Sequence, residues 1–375
     1  MDRRSPAFVI GVSPFAAPAS RGFEILTNFD FANGAYPEGL VLFKRHLYGV
    51  AAEGGSGNSG ILYEVSASGH LKTIYVFGGI NGAQPNVPTA HGDTLYGTTR
   101  SGGESDLGVI YQYSNGQFTK LGDFLNTANS GAYPNGLTLF KGSFYGTTLG
   151  GGSGGEGTVF VFTSSGIKTI YSFPDDEHGA LEPASRLVVR HGALFGTTDS
   201  GGAYRYGTVY EVTTAGQESV IHSFGGNDSD GKSPSSGLIS VGNHLYGTTY
   251  EGGITGRSDS GYDGYGTVFE IDPAGTERVL YRFDYSGKAG VAPRAGLVYL
   301  NGRLYGTTSA DAAHGNGAIF SLKRSGEDLQ VLNAFPGSLT SAFGSSTLIV
   351  NGDALYGTTA RGGTDEAGTL FRQTL

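Results

Sequence analysis

Short apolar runs recur along the chain, and glycine, asparagine or aspartate separates them. Within each run, β-branched and aromatic residues alternate with polar ones. This period-2 alternation predicts short β-strands joined by tight turns. The segment Leu-Tyr-Gly-Thr-Thr returns seven times with small changes, and its aromatic residues are Tyr48, Tyr96, Tyr145, Phe195, Tyr246, Tyr305 and Tyr356. A period near 50 residues indicates a solenoid or a propeller.

Each repeat contains four predicted strands, which we name a, b, c and d from the inside outwards. Strand a is an apolar run such as Leu137–Phe140, although Pro88 replaces its leucine in the second copy. Strand b carries the Leu-Tyr-Gly-Thr-Thr motif, and strand c is a run such as Thr158–Phe162. Strand d ends in phenylalanine in all copies, at Phe29, Phe77, Phe124, Phe173, Phe224, Phe283 and Phe335. Hairpin turn signals such as Asn301-Gly302 connect neighbouring strands, so each repeat is predicted to be a four-stranded antiparallel blade.

The two ends of the repeat region carry complementary parts of one blade. The first strand, Phe23–Phe29, is a d strand without its own a, b and c strands, and the last, Thr369–Leu375, is a c strand without its d strand. Pairing these two strands would complete a seventh blade and remove two exposed sheet edges. We therefore predict an all-β, seven-bladed β-propeller over residues 22–375, closed 3+1 by the N-terminal strand. Residues 1–21 are predicted to be a leader that is either disordered or poorly signal-like.

The order of motifs also resembles a known repeat family. Leu-Tyr-Gly-Thr-Thr, Gly-Gly, Gly-Thr-Val-Phe and a strand ending in phenylalanine together resemble the GloVer (Gloeobacter–Verrucomicrobia) tandem repeat of bacterial proteins. The resemblance covers nearly the whole chain after the leader. It implies a bacterial propeller, often secreted or surface-anchored, and it implies no particular activity. We accordingly expect an extracellular or periplasmic location, with the cytoplasm as the alternative.

Composition narrows the classes of partner. The chain has 66 glycines among 375 residues but only 13 prolines, which excludes collagen and disfavours a helical protein. The net charge of −9 argues against nucleic acid as a partner, because phosphate binding needs a basic surface. Without cysteine, neither a disulfide nor a cysteine-based zinc site can form. No apolar stretch approaches 18 residues, so we expect no membrane span. We also expect a monomer, with a small molecule or glycan as its partner.

The predicted functional face carries the b–c and d–a loops. These loops are longer and more varied than the a–b and c–d turns, which lie on the opposite face of a meander blade. Variable loops on a rigid scaffold are where binding sites usually lie. We therefore expect the site on the b–c and d–a face, around the mouth of the central channel.

Charged and aromatic residues on this face are the candidate site residues. The candidate catalytic residues are Arg186, Arg294, His178, Tyr206 and His314. Arg186 is the most informative, because it replaces the glycine that usually precedes the leucine of strand a; it would serve either as an axial anion clamp or as a rim residue paired with an acid. The candidate ligand-binding residues are Glu38, Arg100, Asn135, Asp199, Tyr204, Tyr250, Tyr262 and Tyr265. Aromatic faces flanked by polar groups suit sugar rings or other amphipathic ligands.

Three functional hypotheses follow from these residues. The first is a ligand-binding propeller, with carbohydrate as the favoured ligand class. The alternative is an enzyme in the same pocket, similar to polysaccharide lyases, in which Arg neutralises a uronate carboxylate and His or Tyr abstracts a proton. A third hypothesis comes from similarity to the propeller domain of a cyanobacterial aromatic-alkylating enzyme that works with Arg, Tyr and calcium. We expect no resident cofactor or metal; Asp228-x-Asp230-Gly231 resembles half of a calcium loop and leaves a calcium ion shared between loops as an alternative.

Overall fold

The computed structural model describes most of the chain after the leader. The described residues are 22–66, 68–125, 127, 130–176, 178–234, 236–253, 264–284, 289–310, 317–335 and 346–375. Residues 1–21, the predicted leader, therefore lie outside them. Across the described residues, the strands form seven antiparallel blades arranged as a β-propeller, as the sequence predicts.

Strand β1 (Phe23–Asn28) belongs to the last blade, and the first three complete blades follow it. Blade one contains β2 (Ala35–Phe43), β3 (His46–Glu53), β4 (Ile61–Val65) and β5 (Leu71–Val76). A 3₁₀ helix, Gly79–Asn81, leads into blade two. Blade two contains β6 (Ala83–Pro85), β7 (Thr89–His91), β8 (Thr94–Ser101), β9 (Val109–Ser114) and β10 (Gln117–Asp123). Blade three contains β11 (Ala132–Pro134), β12 (Thr138–Phe140), β13 (Ser143–Gly150), β14 (Thr158–Thr163) and β15 (Gly166–Ser172).

The remaining blades repeat this arrangement. Blade four contains β16 (Ala180–Pro183), β17 (Val188–Arg190), β18 (Ala193–Gly201), β19 (Thr208–Val212) and β20 (Glu218–Ser223). Blade five contains β21 (Gly231–Lys232), β22 (Ile239–Val241), β23 (His244–Thr249), β24 (Glu251–Gly252), β25 (Thr267–Ile271) and β26 (Glu277–Arg282). Blade six contains β27 (Val298–Leu300), β28 (Arg303–Thr307), β29 (Ala318–Lys323) and β30 (Gln330–Ala334). Blade seven contains β31 (Ile349–Asn351), β32 (Ala354–Thr359) and β33 (Thr369–Thr374), together with β1.

The N-terminal strand is the outer strand of blade seven. It pairs antiparallel with β33, with Phe23 opposite Gln373 and Asn28 opposite Thr369. An ion pair of 2.7 Å between Arg372 Nη2 and Glu24 Oε2 reinforces this pairing.

The phenylalanine at the end of each d strand packs between blades. All seven of these side chains are buried, and each lies against the aromatic residue of strand c in the following blade. The ring centroids of Phe173 and Tyr210 are 5.2 Å apart, and the same contact between Phe29 and Tyr63, at 5.3 Å, joins blade seven to blade one. Edge-on aromatic pairs of this kind add about 0.5–1.5 kcal/mol beyond the area they bury. The hydrophobic core is therefore a ring of interblade layers.

The Leu-Tyr-Gly-Thr-Thr motif supplies two further parts of the interblade packing. A Cβ on Gly97 would overlap the ring of Tyr111, so only glycine fits beside the strand-c aromatic residue. The first threonine of the motif ties its blade to the next: Thr147 Oγ1 donates to the Ser185 carbonyl at 3.0 Å. The equivalent bond from Thr358 Oγ1 to the Pro37 carbonyl, at 3.1 Å, joins the last blade to the first. The sequence motif thus encodes contacts between blades as well as a strand.

Candidate functional site

A repeated backbone turn presents side chains at the face where the d–a loops end. The residue before the loop proline has a positive φ in six blades, at Tyr36, Gln84, Tyr133, Glu182, Ser233 and Ala292. This left-handed conformation is uncommon for residues other than glycine, and a following proline disfavours the α region further. A backbone hydrogen bond to the preceding blade holds each turn in place, such as the one from the Tyr133 N–H to the Leu107 carbonyl at 3.0 Å. The turn is therefore part of the blade-to-blade connection.

A second repeated position on this face varies in residue type from blade to blade. It is the residue directly after the two threonines of strand b, or after their replacements in blade one. Around the ring this position is occupied by Ala52, Arg100, Leu149, Asp199, Tyr250, Ser309 and Ala360. Its charged and aromatic residues therefore lie in blades two, four and five, while blades seven and one carry alanine.

The central channel opens into an axial pocket of about 530 Å³ to which all seven blades contribute. Arg186 lies across this pocket, packs beside Gly136 and donates a hydrogen bond to the Val87 carbonyl in blade two. Burial lowers the pKa of Arg186 to about 10, and the Tyr111 hydroxyl opposes that shift. Because the guanidinium already bonds to a backbone carbonyl, it acts first as a cross-channel tie between blades four and two.

Glu38, Arg100 and Asn135 also line the axial pocket. The Glu38 side chain is accessible to channel water but closely surrounded by protein, so burial raises the pKa of its carboxyl, while Arg100 opposes the shift. The Asn135 amide is buried and donates to Thr147 Oγ1 at 2.9 Å and to the Pro183 carbonyl at 2.7 Å. It therefore holds blade four against blade three.

A second cavity, of about 580 Å³, lies to one side of the channel, and we call it the eccentric groove. Blades three to six contribute its lining residues, which are Leu149, Glu182, Ala184, Asp199, Ser233, Tyr250, Glu251 and Arg294. The guanidinium carbon of Arg294 lies 3.8 Å from the centroid of the Tyr250 ring, which is cation–π geometry. The Ser200 hydroxyl donates to Glu182 Oε2 at 3.0 Å and orients that carboxylate.

Carboxylates outnumber cations among the groove residues. Burial raises the pKa of Asp199, the nearby Glu182 carboxylate raises it further, and Arg294 lowers it. Glu251 adds a third carboxyl group beside Tyr250. A group of acceptor-only carboxylates with one donor-only guanidinium can bind a ligand that offers several hydroxyl groups.

The structure divides the candidate site residues into separate groups. Glu38, Arg100, Asn135 and Arg186 lie in the axial pocket, and Asp199, Tyr250 and Arg294 lie in the eccentric groove. The remaining described candidates line neither cavity; these are His178, Tyr204, Tyr206 and Tyr265. Tyr262 and His314 lie outside the described residues.

The four candidates outside the cavities have other neighbours. Lys232 Nζ lies 4.1 Å from the centroid of the Tyr206 ring, and Tyr204 is half exposed on the same loop. Tyr265 packs against the apolar cluster between blades five and six. The exposed His178 imidazole lies 3.6 Å from the Asp176 carboxylate.

Glu182 is a charged groove residue that was not among the predicted site residues. The signal that could have found it is its place before Pro183, which is the left-handed position repeated in the other blades. Among the described residues, the one group of three side chains that could hold a metal ion, His222, Asp230 and Glu277, lies outside both cavities. None of the helices in the described ranges is long and apolar enough to cross a membrane.

Solved structures support the same fold at low sequence identity. A puromycin-hydrolysing peptidase of Mycobacterium tuberculosis aligns with a TM-score of 0.59 and 12% identity over 91% of this chain and 51% of that chain, so this chain spans about half the length of that peptidase. An oligogalacturonate lyase of Vibrio parahaemolyticus aligns with a TM-score of 0.56 and 8% identity over 95% of this chain and 94% of that one. A computationally designed protein, Ika8, aligns with a TM-score of 0.50 and 13% identity over 91% and 98%. At these identities the likeness concerns the fold alone.

Sequence comparison identifies the family. Among curated proteins, no sequence matches this chain significantly. The model of the Gloeobacter/Verrucomicrobia repeat matches residues 15–190, 140–259 and 255–375, which together cover nearly the whole chain. With seven copies of the motif and one blade for each, the chain belongs to the Gloeobacter/Verrucomicrobia repeat family.

Proposed function

We propose that this propeller is a binding protein for a neutral saccharide, which it holds in the eccentric groove. The observation that carries the proposal is the convergence of Asp199, Glu182 and Arg294 beside the Tyr250 ring in one cavity. A volume of about 580 Å³ lies in the range usual for small-molecule sites. The carboxylates would accept hydrogen bonds from sugar hydroxyls, and the guanidinium would donate to ring or hydroxyl oxygens.

The charge of the groove favours a neutral sugar or an amino sugar over a uronate. Glu182, Asp199 and Glu251 face a single guanidinium, that of Arg294, among the lining residues. A second anion brought beside these carboxylates would be repelled, as like charges at close range disfavour one another. Burial is the main cause of the raised pKa of Asp199, and the Glu182 carboxylate adds to it.

The experiment is a glycan-array screen of the intact chain, followed by calorimetric titration of the glycans that bind. Asp199→Asn keeps the side-chain shape but removes the charged acceptor, so we expect it to weaken binding about tenfold or more, as for loss of a hydrogen bond to a charged group. The matched control is Asp365→Asn, an exposed aspartate in the b–c loop of blade seven, which should leave affinity unchanged. Absence of binding to any glycan, or equal affinities for the wild type and Asp199→Asn, would show the proposal to be wrong.

The second candidate function is an enzyme similar to polysaccharide lyases in the same groove. The specific observation in its favour is the contact between Arg294 and Tyr250, the pair of residue types that such an enzyme needs for charge neutralisation and proton abstraction. An assay for the absorbance of unsaturated uronate products, comparing the wild type with Tyr250→Phe, tests this candidate. Product formation that disappears in Tyr250→Phe would support it, and no product from the wild type would exclude it for the uronates tried.

A further inference from the structure

Three side chains with metal-binding atoms meet at the outer contact between blades four and five. They are His222 on β20, Asp230 in the following d–a loop, and Glu277 at the start of β26. Their ligand atoms all lie within 4.8 Å of one another, and His222 Nε2 is 3.6 Å from Asp230 Oδ2. The site combines one imidazole nitrogen with two carboxylates from separate elements, so it depends on the assembled ring.

The equivalent contacts in other blades show that this trio is unusual. In blades one, three and four, the residue two positions before the d-strand phenylalanine faces the next blade's d strand. In blade one this residue is Tyr75, whose ring stacks on Phe118 at 4.0 Å, and in blade three it is Tyr171, whose hydroxyl bonds to Glu218 Oε2 at 3.2 Å. In blade four the same position is His222. A contact that is elsewhere a packed ring or one hydrogen bond here carries three groups of metal-ligand type.

The polar atoms at this contact are incompletely paired. His222 Nε2 and Glu277 Oε1 are both buried and have no hydrogen-bond partner among the described residues. A buried polar atom without a partner destabilises the fold, so the protein retains these two atoms against a penalty. A cation between them would satisfy both atoms at once.

The surroundings of the trio orient it and concentrate negative charge. The Asp230 side chain is 6% exposed, and its Oδ2 accepts the N–H groups of Gly225 and Gly226 at 2.9 and 3.1 Å, which fixes the carboxylate. Such hydrogen bonds to a ligand are typical of metal sites. Burial and the Asp230 carboxylate raise the pKa of Glu277 to about 7, while His222 and Arg282 oppose the shift. Two carboxylates are thus held close together at this contact.

We propose that His222, Asp230 and Glu277 form a binding site for a divalent transition metal of the zinc class, which clamps blade five to blade four. Imidazole together with carboxylates favours zinc and similar ions, whereas calcium and magnesium prefer all-oxygen sites. Zinc bonds of about 2.0–2.1 Å require ligand atoms roughly 3.4 Å apart. The separation of His222 and Asp230 is already close to that value, and the Glu277 ligand atom lies within 4.8 Å of both, so a side-chain rotation would be needed to bring it into range. The His222 side chain is 21% exposed, which leaves a path for the ion.

The test is calorimetric titration of the chelator-treated full chain with Zn²⁺ alone. We expect one Zn²⁺ per chain and a higher thermal unfolding midpoint in its presence. His222→Tyr installs the residue found at the equivalent places in blades one and three, so it should fold, and Glu277→Gln keeps the side-chain shape. Each should weaken Zn²⁺ binding at least tenfold.

The matched control is Glu218→Gln, which changes the equivalent carboxylate at the contact between blades three and four and should leave Zn²⁺ affinity unchanged. Co²⁺ gives a second readout, because its visible spectrum should show nitrogen and oxygen ligation in the wild type and lose it in His222→Tyr. Failure to bind Zn²⁺ stoichiometrically would overturn the proposal. Equal Zn²⁺ affinity in the wild type and both site variants would overturn it as well, since the ion would then sit elsewhere on the surface.

Discussion

Two sectors of the channel mouth share one architecture and differ in chemistry. At the position after the strand-b threonines, blades four and five carry Asp199 and Tyr250, whereas blades seven and one carry Ala360 and Ala52. Beneath both sectors the interblade packing is the same, with a buried d-strand phenylalanine against the next strand-c aromatic residue. The comparison teaches that the repeat specifies the ring, and that variable residues such as Asp199 and Tyr250 give the groove its chemistry.

The largest expected effect comes from breaking the shared packing. Phe224 is fully buried and packs on Phe269 with ring centroids 5.0 Å apart, so Phe224→Ala should lower the free energy of unfolding by about 3–5 kcal/mol. Tyr250→Ala, in the groove, should change it by less than about 1 kcal/mol. Urea denaturation followed by circular dichroism measures both. A Tyr250→Ala variant as unstable as Phe224→Ala would contradict the separation of ring and groove.

A smaller effect is expected on ligand affinity from the groove cation. Arg294→Ala removes the guanidinium from the face of Tyr250, and we expect saccharide affinity to fall between about tenfold and a hundredfold, corresponding to about 1.5–3 kcal/mol. The control is Arg361→Ala, an exposed arginine in the b–c loop of blade seven. Titration with a glycan from the array should separate the two variants, and a similar loss in both would remove the contrast between sectors.

The next largest effect is expected from the threonine hydrogen bonds that join neighbouring blades. Thr358→Val removes the hydroxyl that donates to the Pro37 carbonyl between the last and first blades, and we expect unfolding to become easier by about 1–2 kcal/mol. Thr364→Val changes an exposed threonine in the neighbouring b–c loop and serves as the control. If chemical denaturation shows equal stability for both variants, the tie contributes nothing measurable to ring stability.

The smallest expected effect is a pH dependence at the outer contact of blade four. The pKa of Glu277 is raised from its ordinary 4.5 to about 7. Between these two pH values the folded protein still holds a proton that the unfolded chain has released. The free energy of unfolding therefore falls as the pH rises from 4.5 through 7. In the presence of a chelator, Glu277→Gln should therefore be about 1 kcal/mol more stable than the wild type at pH 8, after allowance for solvent screening, and no more stable at pH 4. Thermal unfolding at the two pH values measures this difference, and the same difference at both would show that the titration of Glu277 is not its cause.

Most of the fold could be predicted from the sequence because its contacts are encoded in each repeat. Gly97 leaves room for the Tyr111 ring, the Thr147 hydroxyl donates to a carbonyl of the next blade, and Phe173 is buried at the end of its strand. Each of these residue types recurs about every 50 residues. Seven consistent copies make the fold predictable, because the local sequence pattern and the packing between blades agree.

The sites could be predicted only in part, because they combine residues from different blades. Asp199, Tyr250 and Arg294 stood out as departures from the repeat, and they do meet in the groove. Glu182 was not predicted, because its side chain lies in the groove only when the backbone at this residue has a left-handed conformation. His222 and Glu277 lie 55 residues apart in the sequence, and only the packing of neighbouring blades brings them close. Spacing along the chain says little about contacts across a blade interface.

The most direct test of the central claim, that the eccentric groove is the binding site, is a crystal structure of the chain with a saccharide from the array. The account predicts sugar hydroxyls within hydrogen-bond distance of the Asp199 carboxylate and the Arg294 guanidinium, with Ala52 and Ala360 uncontacted. A sugar bound in the axial pocket against Arg186, or on the outer loop at Tyr204, would contradict it.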